Sequence, residues 1–294
     1  MFELTTLAIP AFFFLIGVEA FVATRRQQHV HEVRDSMTSL AMGAGNALLA
    51  IGYKVLILGM FTALWQVRIF DLGHGIAAWV ALIFAEDLCY YWFHRTHHEV
   101  RILWASHVSH HSSRYYNLAT ALRQSWTSAL TGMVFWAPLP LLGFDPLMVL
   151  VAQQISLLYQ FWIHTEVIDR LGPLETVMNT PSHHRVHHAA NLRYLDRNYA
   201  GIFIIWDKIF GTFEQESYDE APIYGLTKNI DTYNPVRVAF HEWVACLRDA
   251  MNAQSLSQAW HYLTQPPGWS PDGSTLTARQ MQKRAFSDLG ERAL

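Results

Sequence analysis

Residues 38–67 carry one charge, Lys54, and residues 124–163 carry only Asp145. Residues 72–85 carry none, and residues 5–24 only Glu19. A helix of about 20 apolar residues is enough to cross the hydrocarbon core of a bilayer, so stretches of this length read as membrane-spanning helices. They account for the low overall charge, 15% where a soluble domain carries about 25%. A chain that is 51% hydrophobic is not disordered. Two cysteines build neither a disulfide scaffold nor a thiolate metal site, and a net charge of -3 gives no electrostatic footprint for nucleic acid.

The chain opens on Phe2-Glu3 rather than on bases, and Arg25 and Arg26 follow the apolar stretch 5–24, so that stretch reads as an anchor and not a cleaved signal. Residues 38–67 and 72–93 form a hairpin turning at Asp71-Leu72-Gly73. Residues 125–142 and 146–163 form a second, divided by Pro138, Pro140, Gly143 and Pro146. The anchor stands alone or pairs with one of these. With the N-terminus outside, Arg25, Arg26, Arg34, Arg95, Arg101, Arg114 and Arg123 fall on the cytoplasmic side and only Arg68 on the other. The fold class is therefore all-α, an integral membrane bundle of four to five spans with a cytoplasmic helical cap. Its expected regions are an anchor and loop over 1–37, a membrane catalytic domain over 38–216 and a cytoplasmic helical extension over 217–294. Within these, 199–213 reads as an interfacial or core helix, 235–262 as a surface helix pair, and the end as a Pro-Pro-Gly turn followed by a charged helix.

Eleven of the 16 histidines lie in three places on that cytoplasmic side: 94–111, 164 and 183–188. Positions three and four apart share a helix face. His94 with His98, His107 with His110 and His111, and His184 with His187 and His188 can each direct two or three imidazoles to one point. Nine or ten neutral imidazoles at one depth carry a desolvation cost that metal binding relieves. Imidazole suits iron, zinc, copper and nickel alike. A tetrahedral zinc takes about four ligands, so this number points to two ions. His29, His31, His74, His241 and His261 read as isolated core histidines.

The order hairpin, HRxxH, HxxHH, hairpin, single His, HHxxHH resembles the fatty acid hydroxylase and sterol desaturase superfamily of integral membrane di-iron oxygenases. HRTHHEVRILWASHVSHHSSRYYNLATALRQS, TPSHHRVHHAAN and RNYAGIFIIWDKIFGTF are similar to its alkylglycerol-oxidising members, bacterial ones included. The resemblance implies two Fe ions held by His94, His98, His107, His110, His111, His164, His184, His187 and His188, with His183 as a tenth ligand and His97 a bystander. It implies O2 as co-substrate, and a functional Glu99 beside the metal or a cofactor. It implies a lipid substrate from the bilayer, reached at an unactivated C–H bond. It implies a reductant too, either tetrahydropterin or electrons from a cytochrome b5 or ferredoxin partner. Hydroxylation and desaturation both begin with hydrogen abstraction, so a sterol or fatty acyl desaturase is the alternative enzyme. A histidine-rich metal transporter is the alternative of another class.

Other polar residues remain to be placed. Asp87, seven positions before His94, and Glu86 lie in an apolar helix, which marks either an intramembrane function or an acid at the headgroup level. Asp169, Asp196 and Asp207 read as solvated. Asn117, Arg123 and Gln124 follow the second box as candidates for cofactor contact, although Arg123 can equally snorkel. Trp92, Phe93, Trp126, Phe161 and Trp162 suit an interfacial aromatic belt.

Overall fold

The computed structural model describes residues 4–292, so the outermost residues of the anchor and of the C-terminal extension lie outside the described residues. Among the described residues there is no strand, only isolated bridges between Met178 and Phe203 and between Ala189 and Tyr224. The helices are α1 (Leu4–Leu7), α2 (Ile9–Arg25), α3 (Val33–Gln66), α4 (Ile76–Glu99) and α5 (Arg101–His111). They continue with α6 (Ser128–Gly132), α7 (Pro138–Leu142), α8 (Pro146–Trp162) and α9 (Pro181–His187). The last are α10 (Ile205–Phe210), α11 (Pro235–Met251), α12 (Leu256–Thr264) and α13 (Ala278–Arg292).

Two of these helices, α3 and α4, are long and apolar enough to cross a membrane. The expected turn joins them, with Gly73 at the left-handed φ of +64°, but the two helices do not pack as a pair: each lies against α7 and α8. The second turn meets the first: the Ile69 amide donates to the Leu141 carbonyl, and Gly143, at φ +116°, lies against the Phe70 carbonyl with no room for a Cβ. Both turns therefore sit at the end of the bundle opposite the histidines.

The second hairpin departs from its expected form in one leg. Residues 125–142 are not one helix but α6, a 3-10 turn over Met133–Phe135, and α7. Pro138 and Pro140 remove amide donors. Gly132 lets Phe93 press in where a Cβ would come within 2.5 Å of its ring. The returning leg, α8, is a continuous helix capped by the Asp145 carboxylate, which accepts the Leu147 and Met148 amides. The core between α3, α4 and α8 holds Phe61, Leu82, Phe93, Trp136, Leu139 and Val149.

The anchor does not stand alone. Phe12 stacks on Phe161 of α8 with ring centroids 4.2 Å apart, and the Leu4 amide donates to Gln154. Its single acid, Glu19, is buried, accepting the Leu118 amide at 2.8 Å and the Thr165 hydroxyl. Of residues 199–213 only α10 is helical. The pair at 235–262 forms as α11 and α12. His29 and His74 are exposed rather than core residues.

Candidate metal centre

Helix α4 runs without interruption from its apolar part into the first histidine box, so His94 and His98 sit one above the other on its last turns. The chain turns at Val100 and re-enters α5, which brings His107, His110 and His111 back against them. His164 lies just beyond the end of α8, and α9 carries His184 and His187, with His188 at its C-cap.

These rings converge as two groups, each able to hold a metal ion. His94, His98, His107, His111 and His187 form one, and His110, His164, His184 and His188 the other, with ligand atoms inside each group all within 4.8 Å of one another. The partition corrects the expectation that each box serves a single point. Residues four apart stay together: His107 with His111, and His184 with His188. Their neighbours His110 and His187, about 100° away around the helix, turn to the other group.

His183 joins neither group. Its ring lies 5.4 Å from that of Phe213, and its carbonyl accepts from Asn198. His97 also lies outside, between the Phe93 carbonyl and the Thr131 hydroxyl.

Backbone carbonyls fix the rings. His94 Nδ1 lies 2.8 Å from the Tyr199 carbonyl, His164 Nδ1 2.7 Å from Gln160 and His187 Nδ1 2.9 Å from Arg197. His110 Nδ1 lies 3.3 Å from Arg123. A carbonyl only accepts, so each Nδ1 carries the proton and each Nε2 turns a lone pair inward. The Nε2 atoms approach one another closely: His94 and His107 at 3.0 Å, His107 and His111 at 3.1 Å, His164 and His184 at 3.0 Å, and His110 and His164, both carbonyl-held, at 3.2 Å. The Nε2 atoms of His98, His187 and His188 are buried with no hydrogen-bond partner. The inward lone pairs of His94, His110, His164 and His187, with the unpartnered Nε2 atoms beside them, fit cations in the two groups.

Outside the apolar helices, burial first and neighbouring imidazoles second hold His107, His111, His184 and His188 well below the usual histidine range. Burial lowers His110 to about 4 and His187 to about 3. The rings are neutral at physiological pH, which is the ligating form.

Asp87 and Asp207 hold the strip that supplies two of those carbonyls. Asp87 accepts the Ile202 and Phe203 amides at 2.6 and 2.9 Å and the Trp206 indole at 3.0 Å. Asp207 accepts the Tyr199 and Ala200 amides, both at 2.8 Å. Asp207 is fully buried, not solvated, and burial lifts its carboxyl to about 6. Its signal in the sequence was a lone acid inside the apolar string YAGIFIIWDKIFGTF. Asp196 also approaches the centre, 3.5 Å from His98 Nδ1, while Asp169 is exposed. Asp196 and Asn198 take left-handed φ values of 57° and 56° on either side of Arg197, a strained backbone that aims its carbonyl at His187.

The remaining candidates bind protein. Asn117 donates to the Val30 carbonyl and accepts the Ala119 amide. Gln124 donates to the Ala121 carbonyl. Arg123 does not snorkel: it is buried, paired with Asp35 at 2.6 Å and bonded to Ser39 and Ser112. Glu99 pairs with Arg95 at 2.9 Å. Beside the histidines a cavity of about 620 Å³ opens, lined by His98, His111, His187 and His188 on one side and by Arg101, Trp104, Asp249 and Trp269 on others.

An all-helical chain whose two membrane-length helices lead toward histidine groups able to hold metal is, as a class, a membrane-type histidine-cluster protein. Comparison adds to this: residues 79–212 match the fatty acid hydroxylase family. The chain is 44% identical to alkylglycerol monooxygenase of Homo sapiens, over 81% of this chain and 53% of that protein. It is 42% identical to the Danio rerio alkylglycerol monooxygenase, over 90% and 59%. It is 30% identical to the ornithine lipid hydroxylase OlsE of Rhizobium tropici, over 48% and 43%. The chain thus spans about half the length of the curated relatives it matches. No solved structure matches it.

Proposed function

We propose that this chain is a membrane-bound di-iron monooxygenase that hydroxylates a C–H bond of a lipid, with alkylglycerol ethers as the substrate class. The observation that carries this reading is the pair of buried histidine groups whose ligand atoms lie within 4.8 Å of one another, with the carbonyl-held rings of His94, His110, His164 and His187 turning Nε2 lone pairs into them. His94, His98, His107, His111 and His187 would hold one ion, and His110, His164, His184 and His188 the other. Two ferrous ions there would supply the electrons and the Lewis acidity that O2 chemistry requires. In balance, one oxygen atom enters the C–H bond and the other leaves as water, with two electrons and two protons from a reductant.

The chain's own residues do the rest. The carbonyls of Tyr199, Arg197, Gln160 and Arg123 set the tautomers, and Asp87 and Asp207 fix the strip bearing the first two. Asn117, Arg123 and Gln124 hold the segment that follows the second box, and Glu99 with Arg95 closes the first. The apolar core of α3, α4 and α8 lets an alkyl chain approach from the bilayer and keeps bulk water from the reacting carbon. The cavity that Arg101, Trp104 and Asp249 help to line suits the headgroup or a reductant, tetrahydropterin or a protein donor. With the arginines disposed as the sequence places them, this face is cytoplasmic.

The test is metal analysis of purified protein followed by incubation with an alkylglycerol, a reductant and isotopically labelled O2. Two irons per chain and one labelled oxygen in the lipid product are expected. Zinc alone with no O2 consumption would overturn the assignment.

A further inference from the structure

One surface of the C-terminal extension plays no part in the chemistry above. Val236, Phe240, Val244, Leu247 and Met251 of α11 are all exposed, Met251 by 84%. At 3.6 residues per turn they fall within about 80° of one another, a single apolar stripe. Helix α12 continues it with Leu256, 91% exposed, and Trp260, 64% exposed, one turn apart.

The stripe is held outward. Val238 and Ala239, on another face of α11, are buried with Met42 of α3. Arg101 of α5 binds Glu242 and Asp249 at 2.9 and 2.7 Å, and the Trp243 indole donates to Thr127. The hairpin therefore cannot roll to bury its stripe without breaking two ion pairs.

Its position and charge identify the occupant. Phe240 meets the ring of Trp126 at 6.0 Å, and Trp126 lies against Gly45 of α3 and donates to the Met42 carbonyl. The stripe is thus continuous with the exposed apolar surface of α3, where Leu48 is 72% exposed. Arg237 and Arg248, both exposed, lie along one edge of the stripe, and none of its own positions is acidic. An apolar stripe edged by arginines beside a membrane-length helix has the composition of a helix lying in the headgroup layer.

We infer that the α11–α12 hairpin is an interfacial membrane-binding element, its stripe seated among the acyl chains of an anionic bilayer surface and Arg237 and Arg248 among the headgroups. This rests on α3 and α4 crossing that bilayer, not on the metal or the reaction.

The test uses the intact chain in nanodiscs with an environment-sensitive fluorophore on Val244→Cys, Met251→Cys or Leu256→Cys. Leu48→Cys serves as the membrane reference and Ser274→Cys as a site away from the stripe. Brominated acyl chains should quench the three stripe positions several-fold more than Ser274→Cys. Changing phosphatidylcholine to phosphatidylglycerol should deepen that quenching, and R237E/R248E should cancel the gain. Stripe positions no more quenched than Ser274→Cys would overturn the inference. So would fluorescence sheltered from water yet insensitive to bromine, the signature of a second protein chain on the stripe. Failure at Leu48→Cys as well would overturn the membrane reading itself, whereas loss of oxygenase activity with quenching intact would overturn only the proposed chemistry.

Discussion

His110 and His164 present their Nε2 atoms to each other at 3.2 Å, while the Nδ1 of each ring lies against a main-chain carbonyl, of Arg123 and of Gln160. Two lone pairs at that distance repel, and no proton is available to bridge them. A cation resolves the contact, so this pair ties the fold of the second group to metal. With one iron in each group, as proposed, His164→Ala should lower bound iron from about two ions per chain to about one, because the first group shares none of its ligands. Iron per chain measured on purified protein decides this. An unchanged count would show that the four-histidine group holds no ion.

Asp87 and Asp207 act on the first group through the backbone between them. Gly201 lies under Asp87 so closely that a Cβ would come within 2.7 Å of its carboxylate and 2.9 Å of Tyr90. Gly201→Ala should push the strip off Asp87 and carry the Tyr199 carbonyl away from His94. Loss of a partner that orients a metal-bound histidine typically costs about 10–100-fold in metal affinity. Competition with a chelator should show a drop of that order for Gly201→Ala and Asp87→Asn, with the four-histidine group keeping its ion. Equal loss from both groups would mean that the strip supports the whole fold rather than His94 and His187.

Much of this was legible in the sequence where the residues act locally. The charge-poor runs located α3, α4 and the Gly73 turn between them, though not that α7 and α8 pack against both, and three- and four-residue spacing brought nine histidines to one end. What depended on distant contacts was not legible. Spacing alone cannot separate His183 from His184, since His183 and His187 are also four apart; only the place of Phe213 turns His183 away. Apolar composition describes 128–142 as well as 146–162, and the break in the first comes from paired prolines and the close approach of Phe93 to Gly132. Asp207 looked solvated because its partners, the amides of residues 199 and 200, are within a few residues in sequence but fold over it only when α10 turns back.

Arg123 shows the same limit and carries a stability prediction. The pair it makes with Asp35 is buried on both sides and linked to Ser39, Ser112 and the Asp35 carbonyl. Removing one partner of such a pair costs about 3–5 kcal/mol, because the other charge is left buried. Asp35→Ala should therefore destabilise strongly, while the double variant Asp35→Leu/Arg123→Met should recover much of the loss. Chemical denaturation in detergent measures both. A double variant as unstable as the sum of its parts would show that the serines, not the ion pair, hold this segment.

The metal-free protein should lose stability in mild acid, and the direction follows from the histidines outside the apolar helices. An unfolded histidine takes its proton near pH 6.5. In the fold His110 takes it only at about 4 and His187 at about 3, and His107, His111, His184 and His188 also lie well below the usual range. Between these values the unfolded chain binds more protons than the folded one, so stability rises with pH across the window and is lost as pH falls below about 6.5. Bound iron competes with the same protons and should shift the loss to lower pH. Denaturation of metal-free protein at about pH 7.5 and about pH 5 should show the acid sample less stable by several kcal/mol, with iron-loaded protein less affected. Equal stability at the two values would mean that the rings titrate in the fold as they do in water, and that the groups are open to solvent.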